Sequence, residues 1–389
     1  MKTTRIPFLR ITPLVVALGL ASHARASDAI ASVLRPFVDR HILAGAVTLV
    51  ADKDKVLDVT TIGYADVGTK KPMGADDLFW IASMSKPITA AALMILVDQG
   101  KVSVDDPVEK YLPEFRGQMV SEKGGANQKP TSGTPHAPRH PILVRNLLSH
   151  TSGLAFKSPM EQPTLDQGTL AIRVKSYAKL NLEFEPDTKY QYSNAGINTA
   201  GRVIEVVTGM CYEDFLQGRL FDPLGMKDTT FWPTEAQIAR IAKSYKANKD
   251  KTDIEETNVA QLRYPLNDRA NRFPMPAGGL FSTAVDCAKF CQMLLNGGVL
   301  DGKRILSEEA VKQMTSKQTA PEVSNAYGFG FATGGGTFGH GGAYSTNMTV
   351  DPKKGLITIF MVQNAGWRSD DGKKVEGQFR DAAYRAFAR

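Results

Sequence analysis

The chain has 389 residues, 42% of them hydrophobic, with 47 basic and 40 acidic side chains and a formal net charge of +7. That length and apolar content allow a large buried core in two or three domains and exclude a disordered or fibrous chain. Four basic residues (Lys2, Arg5, Arg10 and Arg25) and no acidic one fall in the first 26 positions, so the remainder carries +3, without the clustered basic footprint of a DNA or RNA binder.

The N-terminus sets three basic residues before an apolar run at 11–21 and ends on Ala24-Arg25-Ala26, the pattern of a secretory signal peptide over residues 1–26 with cleavage after Ala26. The run is about half of the roughly 20 apolar residues that a membrane anchor needs. The expectation is an exported protein, periplasmic or secreted, with no stable membrane span after cleavage. Residues 30–39 read as a helix weakened by Pro36, and 44–66 alternates and turns like two antiparallel strands. From 86 to 99, Ile88, Ala91, Ala92, Ile95 and Leu96 recur at helical spacing between Pro87 and Gly100. Mainly helical sequence continues to about residue 317, apart from a Gly-, Pro-, Lys- and Ser-rich stretch at 116–140 that reads as an exposed loop. Four short glycine-punctuated runs follow, YGFGFAT, TFGHGG, STNMTVD and LITIFMVQN, and a helix over 375–388 closes the chain. Strands at both ends with helices between predict a discontinuous α/β domain (27–79 and 318–389) carrying a mainly helical domain at 80–317.

Three cysteines leave at least one unpaired in any scheme. Cys287 and Cys291, four apart in a helical segment, read as small apolar fillers rather than metal ligands.

A serine hydroxyl becomes a useful nucleophile only beside a base held at fixed geometry. Two Ser-x-x-Lys matches occur, Ser83 to Lys86 in SMSK and Ser176 to Lys179 in SYAK. Ser83 follows the apolar FWIA and opens a strongly apolar helix, where a spacing of three puts Lys86 on the same face. Ser176 sits among Lys175, Tyr177 and Lys179, a run that reads as a solvated amphipathic surface. A lysine in an apolar site loses hydration of its charged form and can take the serine proton; alternatively it stays charged and lowers the pKa of a tyrosine that acts as the immediate base. Both routes are open. Tyr192-Ser193-Asn194, the only Tyr-x-Asn in the chain, supplies the tyrosine. His340-Gly341-Gly342 reads as an edge strand whose glycines let a substrate approach the backbone. No Gly-x-Ser-x-Gly nucleophile elbow is present. His136 and His140, four apart, are separated by Pro138 in the loop, which argues against a shared metal-binding helix face. His150 in LLSHTSGL reads as a structural hydrogen-bonding residue.

The ordered set SMSK, YSN and HGG resembles that of the serine β-lactamase and penicillin-binding superfamily. It is most similar to the class C β-lactamase and esterase branch, in which Tyr-x-Asn fills the second motif. LLSHTSGL, KVSVDDPVEKYLPEF, PAGGLFSTAVDCAKF and YGFGF extend the resemblance over most of the chain. It implies a β-lactamase-like fold, an antiparallel sheet flanked by helices with a large inserted helical domain. It also implies Ser83 as acylated nucleophile, Lys86 as its activator, Tyr192 as proton shuttle and Asn194 as substrate-orienting residue. The oxyanion would lie between the N–H groups of Ser83 and Ala343, with no metal or other cofactor. One departure stands out. The β-lactam-processing members carry Lys-Thr-Gly or close to it where this chain has His340-Gly341-Gly342, so the lysine and hydroxyl that help to hold a β-lactam carboxylate are missing. His340, as a cation or a hydrogen-bonding ring, is the candidate substitute. The expected function is a carboxylesterase-like hydrolase acting through an acyl-enzyme on a small ester or amide. The alternatives are a β-lactamase or D-Ala-D-Ala-type peptidase and, against the presence of Ser83, Lys86 and Tyr192 together, a non-catalytic cell-wall-binding protein.

Overall fold

The computed structural model describes residues 14–121 and 134–388 and, of residues 14–26, the helical backbone alone. The first half of the expected signal peptide and the centre of the 116–140 loop lie outside the described residues. Helix α1 (Leu14–Asp39) runs through Pro36. Proline takes the helical donor from the Ser32 carbonyl, but both residues are exposed, so water can replace it. Strands β1 (Gly45–Ala51), β2 (Val56–Asp66) and the short β3 (Lys71–Pro72) follow. Helix α2 (Ser85–Asp98) is buried from Ser85 to Leu96, which explains why it is apolar all round rather than along one stripe. Helices α3 (Val144–Ser149), α4 (Leu170–Ala178), α5 (Asn194–Thr208) and α6 (Ala284–Leu295) make up much of the middle of the chain. This region is not purely helical, because the dipeptide strands Phe79–Trp80 and Phe281–Ser282 pair within it, as do Ser244–Ala247 and Ile254–Thr257. The chain ends with β4 (Ala332–Gly334), β5 (Thr337–Gly341), β6 (Asn347–Asp351), β7 (Leu356–Met361) and α7 (Val375–Phe387).

The seven strands form one antiparallel sheet in the order β4-β5-β6-β7-β1-β2-β3. The two ends of the chain meet at its centre, with Val47 of β1 opposite Met361 of β7 and Ala51 opposite Ile357. Alternation along each strand sorts the side chains between two faces. Ala46, Val50, Leu356 and Phe360 pack against Leu34 and Phe37 of α1 and Val375 and Phe379 of α7. Val47, Leu49, Ile357, Ile359 and Met361 join the larger core with α2 and α6. Helices therefore cover both faces, and no described helix is long and apolar enough to cross a membrane.

The expected edge strand at His340 is corrected in one respect. β5 is second from the edge, but its short outer neighbour reaches only Gly339, opposite Ala332. His340 and Gly341 continue past it, leaving that stretch of backbone without an outer partner from β4.

Phe360 is buried and its ring stacks on Phe379, with centroids 5.8 Å apart. Replacing it by alanine should cost about 3–5 kcal/mol through lost burial and a cavity, read as a lower urea midpoint at unchanged slope.

Candidate active site

The strand Phe79–Trp80 leads into a tight 3-10 turn, Ala82–Met84, that runs straight into α2. Ala82 takes the left-handed φ of +46°, a conformation that costs a non-glycine residue about 1–3 kcal/mol. Two bonds hold it: the Ile81 N–H donates to the Leu280 carbonyl at 3.0 Å, and the buried Ser85 hydroxyl donates to the Ala82 carbonyl at 2.7 Å. The second serine of SMSK is thus structural. Ser83 stands at the entrance of α2.

Lys86, in the first turn of α2, is fully buried. Its Nζ lies 3.1 Å from Ser83 Oγ, 2.6 Å from the Ala277 carbonyl oxygen and 4.6 Å from the centre of the Tyr192 ring. Among the described residues no carboxylate offsets this burial, which by itself pushes the amine well below the ordinary lysine range. The rings of His150, Tyr190, Tyr192, Tyr327 and His340 pack together near it at centroid separations of 4.5–6.2 Å, replacing water with hydrocarbon.

Ser193 caps α5 by accepting the Gly196 N–H at 3.1 Å, which puts Tyr192 just outside the helix and Asn194 at its first position. The Ser193 N–H donates in turn to His150 Nδ1 at 3.2 Å. The Tyr192 hydroxyl shares a hydrogen bond with Ser83, and burial raises its pKa against the opposing pull of that bond. Both shifts favour an uncharged amine beside an uncharged phenol. Of the two routes open from sequence, they favour the amine as base over a phenolate. Asn194 is buried and its Oδ1 has no protein partner.

Ser83, Asn194 and Ala343 meet on a cavity of about 150 Å³, walled mainly by Trp80, Phe156, Leu165 and Met275. Gly342 lies behind Ala343. A Cβ there would come within 2.1 Å of Thr346 Oγ1 and 2.6 Å of the Ile81 carbonyl oxygen, so only glycine lets the end of β5 pack against the Ser83 turn. Gly341 has space for a side chain. Among the described residues, no hydrogen bond engages the backbone N–H of Ser83 or Ala343.

Of the two expectations for His340, a cation or a hydrogen-bonding ring, its surroundings favour the uncharged, hydrogen-bonded ring. It is buried beside the site with both nitrogens engaged, Nδ1 2.7 Å from the Gly341 carbonyl oxygen and Nε2 3.0 Å from the Tyr327 hydroxyl. A carbonyl can only accept, so Nδ1 carries the proton and Nε2 accepts from Tyr327. Burial pushes the imidazole pKa down to about 3, with Lys86, whenever its amine is protonated, as the next cause. His340 is not among the residues lining the cavity.

The twin motif has no such setting. Ser176 is half-buried, donating to the Arg173 carbonyl at 2.5 Å with the Ser158 hydroxyl 2.7 Å away, whereas Lys179 is exposed. His136 and His140 approach separate carboxylates, Glu185 at 2.9 Å and Asp187 at 3.6 Å. Cys287 and Cys291 are buried free thiols. Sequence reasoning missed the Ala277 carbonyl, Tyr190 and Tyr327. Only YGFGF and PAGGLFST pointed to two of these segments, and without a role.

Comparison with known proteins follows the same lines. The profile of the family described as Beta-lactamase matches residues 30–379. Penicillin-binding protein 4 of Amycolatopsis lactamdurans is 30% identical over 340 residues, covering 83% of this chain and 81% of its own. Esterase EstB of Burkholderia gladioli is 26% identical over 411 residues, covering 96% and 98%. The solved structure of EstCE1, a hydrolase with promiscuous acyltransferase activity, superposes with a TM-score of 0.73 at 24% identity, covering 94% and 100%. The chain belongs to the Beta-lactamase family and is a serine hydrolase of β-lactamase-like fold.

The unfolded imidazole of His340 would protonate near 6.5 and the folded one near about 3. Stability that this ring contributes at neutral pH is therefore lost as pH falls through that window. Ring nitrogen NMR should show an unchanged, neutral Nδ1–H imidazole from about pH 8 to about pH 5; a titration near the ordinary histidine value would contradict the assignment.

Proposed function

We propose that this member of the Beta-lactamase family is an exported, carboxylesterase-like enzyme that hydrolyses small apolar esters through an acyl-enzyme on Ser83. The observation that carries the reading is the Lys86 amine, buried without a counter-anion and 3.1 Å from the Ser83 hydroxyl. The uncharged amine takes the Ser83 proton as Oγ adds to the ester carbonyl. The N–H groups of Ser83 and Ala343 receive the oxyanion, each such donor typically being worth about 2.7–4 kcal/mol. Tyr192, bonded to Ser83, passes a proton to the departing alkoxide and is reprotonated from Lys86. Water then attacks the acyl-enzyme by the same route in reverse, and the proton returns to Ser83. Asn194, with its unpartnered Oδ1, orients the substrate.

The apolar walls of the cavity and the neutral ring at His340 support an ester over a β-lactam, because the third motif offers no cation to a carboxylate. One observation favours the second reading, a β-lactam or D-Ala-D-Ala-type amide: Lys157 is the one charged side chain among the residues lining the cavity. Export rests on the charge and apolar pattern of residues 1–26.

A panel of p-nitrophenyl butyrate, a chromogenic cephalosporin and a D-Ala-D-Ala peptide separates these readings. Ester turnover should dominate, and a fluorophosphonate should leave one adduct by intact mass that is absent in Ser83→Ala and retained in Ser176→Ala. Cephalosporin turnover without ester hydrolysis would replace the first reading by the second, and an adduct that survives Ser83→Ala would overturn the site.

A further inference from the structure

The Lys86 amine has two neighbours of different kind. Ser83 is its reaction partner, whereas the Ala277 carbonyl only accepts from it, at 2.6 Å. An uncharged amine has two N–H bonds and one lone pair. Committing one N–H to a fixed carbonyl restricts rotation about the terminal C–N bond, so that a lone pair can be held facing Ser83. The position of Ala277, an unremarkable residue by sequence, thus bears on the aim of the base.

The peptide unit entering Ala277 is gripped on both sides. Its N–H donates to Asn198 Oδ1 at 3.0 Å, and its carbonyl, that of Pro276, accepts from Thr89 Oγ1 at 2.7 Å. Thr89 lies on α2 one turn beyond Lys86; its hydroxyl is also 3.1 Å from the Ser85 carbonyl oxygen, the longer of its two acceptors, and the Tyr212 hydroxyl, 2.6 Å from Thr89 Oγ1, is placed to donate to it. On the far side, Trp80 Nε1 donates to the Gly278 carbonyl at 2.7 Å. Asn198 is itself held. Its Nδ2 donates to the Tyr177 hydroxyl at 2.9 Å, and Tyr177 donates to Glu161 Oε1 at 2.7 Å. Asn198, Tyr177 and Glu161 are buried, and the donor directions agree along the whole series, which ends on a carboxylate. A buried polar chain of this length is costly unless every member is satisfied. Packing alone would be served by apolar residues, so the chain calls for another reason.

We propose that Asn198 and Thr89 are positioning residues for the reaction, gripping the Pro276–Ala277 peptide so that the Ala277 carbonyl aims the Lys86 amine at Ser83, with Tyr177 and Glu161 as the anchor behind Asn198. This rests on Lys86 acting as the base toward Ser83. Neither residue lines the cavity, so both act on the rate of the chemical step and not on substrate affinity.

The test uses the full chain and p-nitrophenyl butyrate, with active sites counted by fluorophosphonate titration. In Asn198→Ala, kcat per titrated site should fall on the order of 10²-fold, the scale for a misplaced catalytic group, while KM stays within about twofold of wild type. Tyr177→Phe, which loosens Asn198 but keeps its bond to Ala277, should fall less. A purely structural role would lower the fraction of titratable sites and leave kcat per site unchanged, and that result would overturn the proposal. Should Asn198→Ala not fold, Thr89→Val carries the same test, because it removes the opposite grip and keeps the side-chain shape. Wild-type kcat per site in Thr89→Val would then be the contradicting result. If the wild-type chain neither hydrolyses the ester nor takes the probe at Ser83, the underlying reading of the site fails instead.

Discussion

The site depends on a lysine amine buried without an anion. Taking an ammonium out of water is so unfavourable that the group gives up its proton instead, and among the described residues Lys86 meets neutral neighbours: the Ser83 hydroxyl, the Ala277 carbonyl and a wall of aromatic rings. The same burial that lowers the amine raises the phenol of Tyr192. In the proposed mechanism, one physical cause therefore favours an uncharged acceptor and an uncharged donor of protons on either side of one hydroxyl. A carboxylate against Lys86 would restore its charge and remove it as the proposed base.

Much of the fold can be understood as the means of keeping that amine dry and aimed. α2 is buried nearly all round, which removes its first turn from solvent. The left-handed turn at Ala82 directs Ser83 away from the strand before it and onto the start of α2. From the other side, the sheet delivers β5, whose end passes its short neighbour and packs through Gly342 against the Ser83 turn. His340 belongs to this construction: fixed by Gly341 and Tyr327 at its two nitrogens, it fills space beside Lys86 without adding charge. The cavity is left with apolar walls, open backbone donors and a single lysine among its lining residues.

The parts legible in the sequence were those with local signatures. The run from Ile88 to Leu96 carries helical period and proved to be a core helix, and the alternating strands at the two ends pair with each other at the centre of the sheet. Ser83 and Lys86 are three residues apart at the start of α2, so their proximity follows from spacing alone. What could not be read depends on contacts between distant segments. His340 stayed open between a cation and a hydrogen-bonding ring because its burial leaves no trace in the tripeptide HGG. Ala277 offers only a backbone carbonyl, which any residue possesses. Glu161, Tyr177 and Asn198 lie 37 positions apart from end to end and become a chain only when α4 packs on α5.

The central claim is that burial alone makes Lys86 the base that activates Ser83. The pH dependence of the rate at which a fluorophosphonate labels Ser83 tests it most directly. A single ionisation well below the ordinary lysine value of about 10.4 should govern the rate, with labelling faster above it and slower below, and Lys86→Met should lose the pH-dependent rate altogether. A rate that rises only near the ordinary lysine value, or one that Lys86→Met leaves intact, would contradict the account.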